Sequence, residues 1–251
     1  MITLDLIGIG TGNPEHVTLA AIRAMRAADL ILLPRKGADK ADLADLRRQI
    51  CAVHLSDLSR VVEFDLPVRD GRRDYMVAVN DWHDAIAAVW AREIATHLPG
   101  GGRVALLVWG DPSLYDSTLR IAARLGAGGM TLTTRVVPGV TSLSVLTAAH
   151  AIPLNTLGAP VLITTGRRLR DGGWPEGAEA VAVMLDSGGA FTAIRSEGVH
   201  IWWGAYVGMP QEALIAGPLA EVAEQIVQTR AALRAEHGWI MDIYLLHRST
   251  G

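Results

Sequence analysis

The chain has 251 residues, 50% of them hydrophobic, with 26 acidic and 23 basic residues and a formal charge of −3. That balance gives no electrostatic reason to expect nucleic acid or an anionic membrane surface as the partner, and no apolar run reaches the ~18 residues that a membrane span needs. Cys51 is the only cysteine, which excludes an intrachain disulfide and a thiolate metal cage. With no basic leader at the N-terminus, it makes the cytoplasm the expected compartment and a buried structural thiol the expected role.

In chain order, Ile2 to Ile7 is a short apolar segment, followed by glycines and by VTLAAIRAMRAA, whose Leu19, Ile22, Met25 and Ala28 recur at helical spacing. Strand, loop and helix are predicted there. Leu30 to Leu33 reads as a second strand closed by Pro34, and KADLADLRRQI as a helix with Leu43, Leu46 and Ile50 on one face. Strands at Val61 to Leu66 and Arg103 to Val108 flank a long helix from Tyr75 to Leu98, which Pro99 and three glycines end. A further helix is predicted from Ser113 to Leu125, and a strand from Leu132 to Val137. Strands separated by helices of this length imply parallel pairing with right-handed crossovers.

The segment AHAIPLNTLGAP, with two prolines and no helical period, is the expected linker. It divides an N-terminal α/β domain, residues 1–150, with a mostly parallel sheet, from a C-terminal α/β domain, residues 151–251, with a mixed sheet. In the second, VLITT, AVAVML, HIWWGAY, EALIA and WIMDIYLL read as strands, and Leu219 to Ala235 as a helix.

Gly8, Gly10 and Gly12 follow a strand and precede a helix, the setting of a dinucleotide fingerprint. Asn13 and Pro14 stand where that fingerprint wants a small residue, and Pro34 and Arg35 where it wants an acid for the ribose. Arg35 could instead hold a 2′-phosphate, so an NADP-dependent oxidoreductase is an alternative. The eight histidines are scattered, without the spacing of a metal site, and no metal is expected.

Four segments in order, GIGTGNPEHVTLAAIRAMRAADLIL, WGDPSLYD, VVPGVTS and AYVGMPQEALIAGPLAEVAE, resemble the tetrapyrrole methylase family over nearly the whole chain. DLILLPRKGADKADLADLRRQIC, NDWHDAIAAV and LVWGDPSLYDSTLR resemble the branch that methylates C-1 of precorrin-5 and releases acetate. Another precorrin is the nearest alternative substrate, and a tetrapyrrole-binding module without turnover a third reading. The resemblance implies two α/β domains with a cofactor cleft between them, S-adenosyl-L-methionine as cofactor, a small tetrapyrrole as substrate and a homodimer.

It carries cofactor contact onto Trp109, Gly110, Asp111, Leu114 and Tyr115, then Thr141 and Ser142, and in the second domain Leu185, Tyr206, Val207, Gly208, Met241 and Asp242. Gly10 and Gly12 fall on the substrate side, with Thr11, where the family usually has proline, also expected to contact the cofactor. From the residues themselves, Asp111, Thr141 and Ser142 could equally be helix caps, and Pro112 suits a helix's first turn.

Methyl transfer from a sulfonium needs alignment more than acid–base groups, so the lack of a catalytic dyad excludes nothing. Loss of an acetyl group would need a general base, for which His83, Asp81 and Asp116, all on predicted helices, are the candidates. Arg35, Lys36, Arg167 and Arg168, placed after strands, are the cations expected to clamp the substrate's carboxylates.

Overall fold

The computed structural model describes residues 1–35 and 41–248, with the backbone alone for residues 41–43. Lys36, expected among the substrate-binding cations, lies outside the described residues. The chain forms two compact units, Met1–Thr141 and Ser142–Gly251.

In the first unit, β1 (Ile2–Gly8), β2 (Leu30–Arg35), β3 (Val61–Asp65), β4 (Gly102–Val108) and β5 (Leu132–Val137) form one sheet in the order β3-β2-β4-β1-β5. Every pairing is parallel, as the long helical connections require. Those connections are α1 (Leu19–Ala27), α2 (Ala41–His54), α3 (Tyr75–His97) and α4 (Thr118–Ala127).

Residues alternate along the buried strands with period two. Leu4, Leu6, Leu30, Leu32, Val104, Leu106 and Val108 join Ile86, Trp90 and Ile94 of α3 and Ile121 and Leu125 of α4 in one core. Ile7, Ile31, Leu33, Ala105 and Leu107 join Ala21 and Met25 of α1 and Ile50 and Cys51 of α2 in the other. Burial pushes the Cys51 thiol up to about 11, which suits a packing role and leaves no thiolate at neutral pH.

One strand residue breaks the apolar pattern. Asp5 is fully buried in the middle of β1 and pairs with Arg103 Nε at 2.6 Å and Arg135 Nε at 3.5 Å. Arg103 and Arg135 stand on the strands either side of β1, so the carboxylate ties three strands together.

The predicted helix from Ser113 starts only at Thr118. Tyr115 lies in the left-handed region at φ 50°, which a right-handed helix cannot continue through. Asp116 Oδ1 then accepts the Thr118 amide at 2.6 Å. Asp116 therefore precedes α4, and Pro112 lies in a loop, not in a first turn.

In the second unit, α5 (Ser142–Ala149) packs on β8 (Val199–Ala205) and β10 (Asp242–Arg248), which places the division after Thr141 instead of after residue 150. The remaining strands are β6 (Val161–Thr165), β7 (Ala180–Met184) and β9 (Ala213–Pro218), in the order β6-β7-β10-β8-β9. Only β6 and β7 run parallel, so the sheet is mixed. The helices α6 (Gly166–Gly172) and α7 (Leu219–His237) complete the unit. Neither α5 nor α6 is predicted from the sequence, because each is too short to display a helical period.

A polar network lies under this sheet. The Asp242 carboxylate takes Arg230 Nε at 2.9 Å and Trp203 Nε1 at 3.0 Å. Asp186 takes the hydroxyl of Tyr244 at 2.8 Å and the amides of Gly188 and Ala190 at 3.0 and 2.5 Å. Arg230 also donates to the Asp186 carbonyl at 2.8 Å, linking the two acids.

Burial is the largest influence on Asp242 and pushes its carboxyl up, against the pull of Arg230. Removing the cation strands a buried charge, at a cost of about 3–5 kcal/mol. Arg230→Met is therefore expected to lose that much stability in urea unfolding at neutral pH. The loss should shrink in mild acid, where Asp242 takes up a proton and no longer needs a cation.

Candidate functional site

In open α/β sheets ligands bind beyond the carboxyl ends of the strands, and the first unit brings three loops together there. After β1 and β4 the backbone of Gly10 pairs with that of Gly110, N to O at 3.4 and 2.8 Å. After β5, Gly139 lies so close that a Cβ on it would stand 2.1 Å from Gly110 O, and one on Gly8 would stand 2.6 Å from Gly139 N. Only glycine permits that approach.

Asp111 locks it. Its Oδ2 accepts the Gly139 amide at 2.9 Å and its Oδ1 the Ser113 amide at 2.8 Å. Asp111 is thus a clamp between the loops after β4 and β5, not the cap of a helix. Burial opposes its ionisation, yet the bonds from Ser113 and Gly139 hold its carboxyl below the ordinary carboxylate range.

The front glycine loop departs from a dinucleotide cradle. A 3-10 turn, Pro14–His16, capped by Asn13, intervenes before α1 begins at Leu19. No helix N-terminus follows the glycines directly, so the feature that would bind a pyrophosphate is missing. Gly10 and Gly12 have φ of 76° and 106°, and Thr11 is buried, its hydroxyl bonded to His16 Nδ1 at 2.9 Å.

Three of the sequence-predicted cofactor residues share an unusual backbone. Tyr115, Leu185 and Tyr206 have φ of 50°, 52° and 51° and, with Ala151, are the non-glycine residues in the left-handed region among the described residues. Such a conformation costs about 1–3 kcal/mol per residue and concentrates where function demands it. Leu185, just beyond β7, is 65% exposed, which packing inside its own unit does not explain.

Tyr206 differs. It is 1% exposed, its ring edge-on to those of Trp239 and His237 with centroids 4.9 and 5.4 Å away, and its hydroxyl donates to the Trp239 carbonyl. Its amide donates to Met241 O at 2.9 Å. Tyr206 supports the turn that carries Val207, which is buried, and Gly208, whose amide donates to Glu212 at 2.6 Å. The Asp242 side chain faces the network under its own sheet, so the expected adenine-side contact is not available to its carboxylate.

Beside the loops of the first unit lies a cavity of about 160 Å³, lined among others by Pro34, Arg47, Trp82, Trp90, Trp109 and Asp116. It opens where β2 and β4 part: their pairing ends at Leu32 and Leu106, and Pro34 has no amide to extend it. Arg47 reaches in from α2, its Nε donating to Leu107 O at 3.2 Å and its guanidinium 5.1 Å from the Trp109 ring. Burial pulls Arg47 down to about 10, with Asp116 acting in the opposite sense.

The three base candidates part company. Asp116 lines the cavity. His83 is buried on α3 beside Arg124 and close enough to Asp116 to feel its charge; burial, then Arg124 and Arg120, push its pKa below the ordinary imidazole value. Asp81 is exposed and paired with Arg73.

The cations separate too. Arg35 is paired with Asp65 at 3.1 Å and faces Glu63 at 3.8 Å, while Arg167 and Arg168 are exposed on α6. Sequence reasoning missed Arg47. The available signal was its position on the inward face of its helix, four residues after Leu43 and three before Ile50.

A family model for tetrapyrrole (corrin/porphyrin) methylases matches residues 3–223. The chain belongs to the tetrapyrrole methylase family. Among curated relatives, a precorrin-6A synthase (deacetylating) from Sinorhizobium sp. is 49% identical over 97% of this chain and 94% of its own length. Among solved structures, a cobalamin synthesis related protein (CobF) from Corynebacterium diphtheriae superposes with a TM-score of 0.86 at 38% identity, covering 99% of each chain. A uroporphyrin-III C-methyltransferase from Thermus thermophilus, complexed with S-adenosylhomocysteine, shares the fold, with a TM-score of 0.60 at 21% identity over 98% of this chain and 92% of that one.

Two substitutions test the loop clamp of this tetrapyrrole methylase. Gly139→Ala forces backbone apart and should cost about 3 kcal/mol or more in urea unfolding. Asp111→Ala leaves the Gly139 amide without its partner and should cost about 1–3 kcal/mol. Because the Asp111 carboxyl is held low, its contribution is fully present above the unfolded carboxylate range and is lost as pH falls through the folded value. The difference between wild type and Asp111→Ala should therefore narrow in acid.

Proposed function

We propose that the chain is an S-adenosyl-L-methionine-dependent C-methyltransferase of cobalamin biosynthesis that methylates C-1 of precorrin-5 and releases acetate, giving precorrin-6A. The observation that carries this reading is the 49% identity to the Sinorhizobium precorrin-6A synthase over nearly the full length of both chains. A scattered set of conserved-fold residues would not extend so far.

The residues of the first unit suit such a cofactor. Gly10, Gly12 and Gly110 leave backbone bare at the strand ends, with Trp109, Leu114, Tyr115 and Thr141 around them, and Asp111 fixes the loops. In the second unit the residues that would hold it are Ser142, Leu185, Val207, Gly208 and the backbone of Tyr206 and Met241. S-adenosylmethionine supplies an electrophilic methyl group when bound, so the work left to the protein is alignment and exclusion of water.

Acetate release adds a second task. A water oxygen must bond to the acetyl carbonyl carbon while a base takes its proton and the bond to C-1 breaks, releasing acetate; the electron pair left on C-1 then forms the new bond to the methyl group. Asp116, at the cavity wall, is the candidate base, with the buried His83 on α3 the alternative. A homodimer is part of this reading, and Val136 on the edge strand β5 and Leu162 and Ile163 on the edge strand β6 are exposed apolar residues that association would cover. No helix of the described residues is long and apolar enough to cross a membrane, and a cytoplasmic location accords with a single buried thiol.

S-adenosylhomocysteine should raise the Tm and NADP should not, since a ligand of the folded state shifts unfolding by mass action. Incubation with precorrin-5 and S-adenosylmethionine should yield one acetate per methyl transferred, read by mass analysis and an acetate assay. Absence of both products would overturn the reading. Asp116→Asn should slow acetate release about 100-fold or more while leaving the Tm shift by S-adenosylhomocysteine in place; unaltered turnover would remove Asp116 as the base.

A further inference from the structure

The neighbouring strands β1 and β4 end in loops that touch at Gly10 and Gly110 and then part to opposite faces of the sheet. The first feeds α1, which packs with Ile7 and Leu107; the second feeds α4, which packs with Leu6 and Leu106. Adjacent strands whose connections leave to opposite faces open a crevice at their carboxyl ends, and open α/β sheets take their ligands there. Asp116 stands on the β4 loop.

An imidazole is built into the loop across from it. The 3-10 turn Pro14–His16, started by its Asn13 cap, folds the chain back, and α2 meets it through His54 Nε2, 3.2 Å from Pro14 O. His16 is thereby laid on the bare Cα of Gly10, where a Cβ would stand 2.6 Å from His16 Cβ. Its Nδ1 lies 2.9 Å from the hydroxyl of Thr11, a residue only 7% exposed.

With Nδ1 held on Thr11, the nitrogen left for a ligand is Nε2. The ring is half-buried, and unlike the Nε2 atoms of His83 and His247, its Nε2 is not shut inside the fold. A threonine hydroxyl that donates to Nδ1 places the imidazole proton on Nε2, and an imidazolium carries a proton there as well. In both states His16 offers an N–H to the crevice. Acetyl release needs such a donor: as water adds to the acetyl carbonyl carbon, negative charge gathers on the carbonyl oxygen, and a fixed N–H aimed at it stabilises the transition state. An ionised Asp116 only accepts hydrogen bonds, so it can take the water's proton but cannot supply that donor.

We infer that His16 is a further catalytic residue of the proposed reaction, its Nε2–H donating to the carbonyl oxygen of the departing acetyl group, with Thr11 as the residue that positions the ring. The inference rests on the function proposed above. His16 keeps its proton throughout. The water's proton goes to the base, the charge on the oxygen returns to re-form the carbonyl as the bond to C-1 breaks, and the electron pair left on C-1 takes the methyl group.

The test has one arm without substrate and one with it, both on the whole protein. In ¹⁵N-histidine-labelled protein, with His16 assigned by its His16→Gln variant, the imidazole should carry its proton on Nε2, and Thr11→Val should abolish that preference. A bare Nε2 in the wild type would overturn the donor role. In rapid-quench assays with precorrin-5 and S-adenosylmethionine, His16→Phe should slow acetate release about 100-fold or more. KM for precorrin-5 and the Tm shift by S-adenosylhomocysteine should hold, because the bond is made in the transition state. His16→Gln keeps a neutral N–H on a side chain of similar reach and should recover at least about ten-fold of the loss. Thr11→Val should slow release about ten-fold, and Thr11→Ser, which keeps the hydroxyl, should restore most of the rate.

A raised KM with unchanged kcat, a His16→Gln variant as slow as His16→Phe, or full rate in both would each overturn the inference. Should His16→Phe fail to fold, seen as loss of the Tm shift, His16→Gln against wild type and the Thr11 pair carry the same comparison. Acetate release by the wild type that the His16 and Thr11 variants leave unimpaired removes His16 and leaves the proposed function standing. A wild type that binds S-adenosylhomocysteine but releases no acetate from precorrin-5 overturns the proposed function itself, and the role of His16 with it.

Discussion

The approach of three strand-end loops, at Gly8, Gly110 and Gly139, is the constraint on which the first unit's functional end depends. Backbone there meets backbone at distances that exclude a single Cβ. Loops usually carry function at the cost of precision, and here the loss is avoided because the loops are in contact with one another. Asp111 adds direction to that contact: with one oxygen on Gly139 and the other on Ser113, it fixes the loop after β4 against the loop after β5. Trp109, Leu114 and Tyr115 are presented from a segment whose two ends are both held.

The same constraint accounts for the backbone of Tyr115. The chain leaves β4, makes the tight approach at Gly110, and must then turn into α4. It does so through a left-handed residue at Tyr115 and a cap at Asp116. The strain is therefore stored next to the clamp, on a residue whose side chain remains 43% exposed and available to a ligand. The cavity begins on the far side of this turn, since Asp116, Ser117 and Thr118 belong to its wall.

Much of the fold was legible because the strands of the first unit are buried on both faces. Period-two alternation, as in Leu4 and Leu6 against Ile7 and Ile9, coexists there with continuous hydrophobicity, and helices of ten or more residues between the strands allow only parallel pairing. What could not be read depended on single backbone angles or on contacts distant in sequence. Nothing in SLYDS marks Tyr115 as left-handed, so α4 was expected five residues early, at Ser113. Asp111 looks like any cap until Gly139, 28 residues away, is beside it. Trp82, Ile86 and Trp90, spaced by four, look like an ordinary core stripe, yet Trp82 Nε1 donates to Pro67 O while Trp90 Nε1 has no acceptor among the described residues.

The two units also treat buried polar groups in opposite ways, and the contrast separates structure from function. In the second unit Asp186, Asp242, Arg230, Trp203 and Tyr244 satisfy one another, and a network with its donors and acceptors matched has nothing left to offer a ligand. Asp242, expected at the cofactor, falls in this closed set. In the first unit Arg47, Trp90 and Trp109 line one cavity, and the two indole nitrogens have no hydrogen-bond partner among the described residues. A side chain's type placed Asp242 and Arg35 among the site candidates, but the company each one keeps removes the Asp242 carboxylate and leaves Arg35 committed to Asp65. Arg47, which no motif marks, lines the cavity of the first unit with its Nε donating to Leu107 O.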